Sequence, residues 1–379
     1  MMMLESPATR RLPPAPRKLV AVEVTNRCNL HCSYCMRDED ALYNSPANFL
    51  PVELLRKIIR QAREPEFGFE GVSFTGGEVL IHPQFRELLE MVREEGWKYS
   101  FVTNGWLFDR AFPDVLATAD AVHIIAFSLD GPTREEHDRW RGEGSFVRVI
   151  RAATRCYVKG VPFMFKAPIR RDTAGRLQDF ALLAARLGAC ALHFSHLLPT
   201  SQGDEDALGL SLEERAHAEQ EVAVLSNILK MQVGIVAGYY NTQPGSPCDA
   251  LSGRTVNIDY RGRMTLCCNL SGYRGSNERS DVLADMNRED FAAGFARFTR
   301  SAEAQIERRR LMLEGHERRG TTPGLVEGSP CLYCLHSFGK IPWASAAGPA
   351  ADQPRSLPVL PSASAGGAVS EVFLGQESV

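Results

Sequence analysis

Between residues 18 and 198 short apolar runs alternate with amphipathic segments, and this alternation constrains the fold more than any other feature of the chain. "KLVAVEV" (18–24), "GVSFT" (71–75), "YSFVT" (99–103), "AVHIIAFSL" (121–129), "VPFMFKAPI" (161–169) and "ACALHFSHLL" (189–198) read as buried strands. Between them, "PVELLRKIIRQARE" (51–64) opens on Pro51 and "PQFRELLEMVREEG" (83–96) closes on Gly96, a helix start and a left-handed stop. Segments 145–160 and 172–188 repeat the plan and also end in glycine. Six strands alternating with helices predict an α/β fold with a parallel sheet, either doubly wound or rolled into a barrel. Such folds gather ligands at the carboxyl ends of their strands, which is where any functional motif should fall.

The texture changes past residue 200. "TSQGDEDALG" (200–209) reads as a polar linker, a helix follows over 211–230, and "TVNIDYRGRMTLCC" (255–268) reads as a hairpin turning near Tyr260–Gly262. A charged helical stretch over 288–314 contains "ERRR", read as a solvated face. From Ala344 onward Ala, Gly, Pro and Ser dominate without a period, which predicts a disordered tail over 344–379. The predicted organisation is a flexible N-terminus (1–17), a strand–helix core (18–200), a linker and helix (201–240), a smaller domain (241–343) and the tail. No long basic patch with interleaved aromatics points to nucleic acid, and no apolar run reaches the ~20 residues that span a bilayer. The N-terminal stretch lacks the apolar region of a signal peptide, so a cytoplasmic protein with reduced thiols is expected.

Ten cysteines are many for such a chain, and most fall in two groups. The first is "CNLHCSYC", with Cys28, Cys32 and Cys35 in the loop that leaves the first strand. Thiolates are soft ligands for zinc or for iron–sulfur clusters. Zinc would need His31 as a fourth ligand, squeezed between two others, whereas structural zinc sites usually pair C-x2-C with a distant pair. The other reading is a [4Fe–4S] cluster with three protein ligands and one open iron, a place for a substrate to bind.

The spacing C-x3-C-x2-C, with Tyr34 before the last cysteine, resembles the cluster motif of the radical S-adenosylmethionine (SAM) superfamily. Further motifs follow at successive strand ends, "TGGE" (75–78), "TNG" (103–105) and "SLDG" (128–131), and "EEHDRWRG" (135–142) comes after the last of them. The resemblance covers roughly residues 18–200 and implies a partial (β/α)6 TIM-like barrel. It assigns Gly76, Gly77 and Glu78 to the SAM amino group, with Val79 where the family usually has proline. It also places Asn104 beneath the cofactor, Ser128 and Asp130 near the ribose, and Arg141 on the SAM carboxylate. Lys166 and Leu198 match cofactor-lining positions.

The second group comprises Cys248, Cys267, Cys268, Cys331 and Cys334. Four thiolates from separate segments suit zinc or a fully ligated cluster, and spacing does not separate these. The pattern looks like the SPASM/twitch extension that follows radical SAM barrels, implying a smaller C-terminal β-hairpin/helix domain. That resemblance implies an auxiliary [4Fe–4S] cluster on Cys248, Cys267, Cys331 and Cys334, with Cys268 surplus or replacing Cys267. Cys156 and Cys190 read as core thiols, and His193 and His196 as core or rim histidines. The implied function is reductive cleavage of SAM to a 5′-deoxyadenosyl radical that abstracts hydrogen from a substrate, fed by an electron donor such as flavodoxin or ferredoxin. Oxidative modification of a ribosomally made peptide is the preferred outcome. The alternatives are radical tailoring of a small metabolite or cofactor precursor, and a non-catalytic zinc or Fe–S protein.

Overall fold

A computed structural model describes residues 13–243, 248–275 and 280–344. The flexible N-terminus expected over 1–17 and the tail expected over 344–379 lie outside these residues, except for 13–17 and Ala344. Five strand–helix units and a sixth strand come first in the chain. They are β1 (Leu19–Glu23) and α1 (Val52–Ala62), β2 (Gly71–Thr75) and α2 (Phe85–Glu94), and β3 (Lys98–Thr103) and α3 (Phe108–Ala117). Then come β4 (Val122–Ser128) with α4 (Arg134–Arg141) and α5 (Ser145–Lys159), β5 (Phe163–Ile169) with α6 (Leu177–Arg186), and β6 (Ala191–His196). The six predicted strands form where the apolar runs stand. Val20, Val22, Phe74, Phe101, Phe127, Phe165 and Phe194 alternate to one face of the sheet and pack under the amphipathic helices.

Beyond β6 the chain forms α7 (Gln202–Leu208), α8 (Leu212–Ile228) and β7 (Gln232–Ala237). The stretch read as a linker is therefore largely helical: the Ser201 hydroxyl accepts from Asp204 N at 3.1 Å and caps α7. Next come β8 (Thr255–Ile258), β9 (Arg263–Thr265), β10 (Val282–Asp285), α9 (Phe291–Arg319), α10 (Leu325–Gly328) and α11 (Pro330–Ser337). Strands β8 and β9 are the predicted hairpin. Gly262 turns it at φ +78°, and the Asp259 carboxylate accepts from Arg261 N and Arg263 N at 2.9 and 2.8 Å.

Among the described residues all ten strands share one sheet, ordered β10-β9-β8-β1-β2-β3-β4-β5-β6-β7. β8 lies parallel to β1, with Leu19 opposite Thr255 and Val22 opposite Ile258, so the sheet crosses the boundary expected between the two domains. β7 and β10 stand at opposite edges, leaving an open barrel; β1–β8 run parallel and share one carboxyl rim, whereas β9 runs antiparallel to both its neighbours. The "ERRR" run lies within α9, and its solvated-face reading fails at one position. Arg309 is buried, and its guanidinium donates to Asn241 O and, at 3.1 Å, to Gly328 O.

The segment after α11 is held to the start of β10 by a fully buried pair, Lys340 Nζ to Asp281 Oδ1 at 2.8 Å. Removing one member strands the other charge in the core. Lys340→Met should cost about 3–5 kcal/mol in urea unfolding, and the double variant with Asp281→Leu should recover most of it. Equal stability of native and single variant would contradict this.

Candidate functional site

The loop between β1 and α1 carries Cys28, Cys32 and Cys35 at the carboxyl rim. Its start is clamped to the segment after β2, with Gly77 N donating to Thr25 O at 3.0 Å and Glu78 N to Arg27 O at 2.7 Å. A Cβ on Gly77 would lie 1.9 Å from Arg27 O, so only glycine allows this approach. The chain's own backbone, from Thr25 to Arg27, makes the close approach that Gly77 allows. The buried Glu78 carboxylate accepts from Leu80 N (3.2 Å), Thr103 Oγ1 (2.7 Å) and Asn104 N (2.8 Å). Asn104 Nδ2 donates to Asn29 Oδ1 at 2.9 Å, joining the end of β3 to the cysteine loop. His31 is stacked on Tyr43, with ring centroids 3.8 Å apart.

A second network faces this loop across the rim. Tyr34 Oη donates to Asp130 Oδ2 at 2.6 Å, Arg141 Nε donates to the same oxygen, and Arg141 Nη2 donates to Tyr34 Oη at 3.1 Å. Burial pushes the Asp130 carboxyl up, yet Arg141 and Arg170 beside it hold it below the usual carboxylate range. The H-D pair of "EEHDRWRG" proves to be scaffolding. His137 Nδ1 accepts from Asp130 N at 3.1 Å, and Asp138 caps α5 by accepting from Gly144 N and Phe146 N at 2.9 and 2.8 Å. Sequence reasoning missed Arg170, fully buried and donating to Asp130 O at 3.1 Å, its guanidinium 4.9 Å from the Tyr34 ring and 4.2 Å from Trp140. The available signal was "IRRD" directly after the fifth strand.

Below the rim, Glu23 and Arg37 form an ion pair at 3.1 Å, another feature absent from the sequence reading. Burial raises the Glu23 carboxyl to about 7 against the pull of Arg37. Lys166 pairs in register with Ser128 on β4 and His193 on β6. Leu198 is buried just past β6. His196 Nε2 stands 3.2 Å from the Glu219 carboxylate.

The second thiol group also assembles, from the segments after β7 and β9 and from α11. Cys248 neighbours Cys267, Cys331 and Cys334, while the free thiols of Cys267 and Cys268 share a hydrogen bond. Three sulfurs accept hydrogen bonds: Cys331 from Gly238 N at 3.3 Å, Cys267 from Asn269 N at 3.4 Å and Cys334 from Gln305 Nε2 at 3.6 Å. Cys156 and Cys190 are buried in the core, as expected.

The residues present fit iron–sulfur clusters in donor chemistry. Both groups offer soft thiols, and burial pushes Cys28 and Cys331 up to about 12, a shift that a bound cation opposes by favouring the thiolate. Asn29 Nδ2 is buried without a partner beside the first group. Among the described residues no three His, Cys, Asp or Glu side chains stand at the spacing of a single metal ion.

Residues 22–181 match the family described as the Radical SAM superfamily, and the chain carries a radical SAM domain. It is 31% identical over 205 residues to an AdoMet-dependent heme synthase of Nitratidesulfovibrio vulgaris, covering 54% of this chain and 53% of that protein. It is 27% identical over 271 residues to the PqqA peptide cyclase of Gluconobacter oxydans, covering 68% and 71%. The fold is similar to that of Streptococcus suis SuiB bound to its precursor peptide SuiA, at TM-score 0.56 and 16% identity over 76% of this chain and 67% of that one. The chain thus spans about half the length of the heme synthase. No helix among the described residues is long and apolar enough to cross a membrane.

Two expectations follow from this geometry. Gly77→Ala should lower stability by about 1–3 kcal/mol and speed labelling of the Cys28 thiol by a disulfide reagent. Unchanged labelling and unfolding would contradict the clamp. Burial also lowers the His137 imidazole to about 4 from 6.5. The unfolded chain binds a proton there between these values and the native chain does not, so His137 makes stability fall as pH drops from 6.5 toward 4. His137→Gln should flatten the pH dependence of thermal unfolding in that window by up to ~1.4 kcal/mol per pH unit.

Proposed function

We propose that this protein is a radical SAM enzyme in which Cys28, Cys32 and Cys35 hold a [4Fe–4S] cluster with one open iron. The observation that carries this reading is the clamp that sets the three thiols against the ends of β2 and β3, where Gly76, Gly77, Glu78 and Asn104 converge. Bound there, cluster and SAM supply a one-electron reductive cleavage that yields a radical able to take hydrogen from an unactivated carbon. The chain's own groups do the positioning. The backbone of Gly76–Glu78 receives the SAM amino group, and Asn104 lies beneath the cofactor. Ser128 and Asp130 flank the ribose, with Leu198 packing nearby. Arg141, fixed by Asp130 and Tyr34, offers its remaining N–H groups to the SAM carboxylate.

Cys248, Cys267, Cys331 and Cys334 hold an auxiliary [4Fe–4S] cluster, whose potential the N–H···S bonds from Gly238, Asn269 and Gln305 tune. The substrate is a ribosomally made peptide, modified oxidatively. Support comes from the PqqA peptide cyclase, whose match extends past the barrel, and from the precursor peptide bound by SuiB. The heme synthase match, confined to about half of each chain, supports a small cofactor precursor as the second reading. A flavodoxin or ferredoxin donates the electron. Free thiols throughout agree with work in the cytoplasm.

Anaerobic reconstitution should load about eight irons per chain, two clusters of four. SAM with dithionite should then yield 5′-deoxyadenosine. Replacing Cys28, Cys32 and Cys35 by Ala should abolish that product and leave about four irons. Zinc without iron in the native protein would overturn the proposal.

A further inference from the structure

The face of the sheet below the cysteine loop encloses a cavity of about 50 Å³, lined among others by Ser73, Ser100, Met164, Lys166 and His193. Its floor is apolar, built from Ile124, Ala126 and Met164 over Cys190 and Ala191. Lys166 and His193 are register partners on adjacent strands and look into the same space.

The other titratable side chain lining the cavity is His123, and the buried carboxylates beyond it are matched within the chain. Glu23 has Arg37 at 3.1 Å, Asp130 has Arg141 and Arg170, and Asp259 has Arg263 at 2.6 Å. Lys166 has no carboxylate. Among the described residues its Nζ makes neither hydrogen bond nor ion pair. His193, 4% exposed, leaves Nε2 buried without a partner. Lys166 is half-buried without a partner and His193 is buried with an unpaired ring nitrogen, so one cavity holds two groups whose bonding capacity the chain itself leaves unused. The volume admits a group of a few heavy atoms and no aromatic ring.

We propose that this cavity receives a carboxylate of the substrate, held by Lys166 Nζ and His193 Nε2, with the apolar floor packing its carbon stem. The inference rests on the reading of the lumen as the substrate chamber of a radical SAM enzyme. It gives Lys166 a role toward substrate at a position where the family resemblance suggests a cofactor-lining one. Two sources share this chemistry, an acidic side chain and a chain-terminal carboxylate.

The test uses the reconstituted holoenzyme saturated with SAM and three probes followed by ligand-detected NMR. These are N-acetylglutamate amide, its isostere N-acetylglutamine amide, and N-acetylalanine. At least one acid should bind about tenfold or more tighter than the neutral amide, as expected for a charge-assisted pair. Which acid it is identifies the source. Lys166→Gln should bring the ratio within about twofold, and Lys166→Arg should retain part of it. Equal binding of acid and amide by the native protein, or a preference undiminished in Lys166→Gln, would overturn the inference. The native ratio and the arginine variant decide the matter even if Lys166→Gln does not fold. Failure of the native protein to cleave SAM would instead overturn the proposed function, and the same ratios measured without SAM would still decide this inference.

Discussion

The contact on which the site depends is the backbone clamp between Thr25–Arg27 and Gly77–Glu78. Two N–H···O bonds without side-chain involvement bring the end of β1 against the end of β2, and a single Cβ on Gly77 would push them apart. Glu78 then extends the clamp to β3 through Thr103 and Asn104, and Asn104 returns it to Asn29 in the cysteine loop. Three parallel strands and the loop with three thiols thus form one hydrogen-bonded unit. The neighbouring Tyr34–Asp130–Arg141 network ties the same loop to β4 and α4, so the loop is anchored from both ends.

This arrangement follows the general logic of parallel sheets, in which buried strands fix the frame and the carboxyl rim carries the chemistry. Arg170, packed beside the Tyr34 and Trp140 rings, and Arg141 together compensate the buried Asp130. A buried carboxylate needs such compensation, and here it also fixes the tyrosine that precedes Cys35.

Much of this was legible in the sequence because it is local. Each of the six strands was marked by its apolar run, and the hairpin by Gly262. The rim motifs stood out because each ends a strand, although the clamp behind "TGGE" and the capping role of Asp138 needed coordinates. What stayed hidden depends on distant pairings. β8 lies against β1 across more than two hundred intervening residues, Arg37 pairs with Glu23 inside the lumen, and Arg309 is buried by Asn241 and Gly328. A charge run carries no sign of which member turns inward, and β7, "QVGIVA", is too short and too weakly periodic to distinguish from the end of a helix. The helix α7 escaped notice because its seven residues are capped by Ser201 rather than marked by an apolar stripe.

The central claim is that the cysteine loop holds a cluster whose open iron faces the SAM site. Electron–nuclear double resonance of the reduced holoenzyme with SAM labelled with ¹⁵N at the methionyl amino group tests it most directly. The account predicts a nitrogen hyperfine coupling that appears with labelled SAM and vanishes when Cys28, Cys32 and Cys35 are replaced. A reduced-cluster signal that depends on these three cysteines yet shows no coupling to the bound amino group would contradict it.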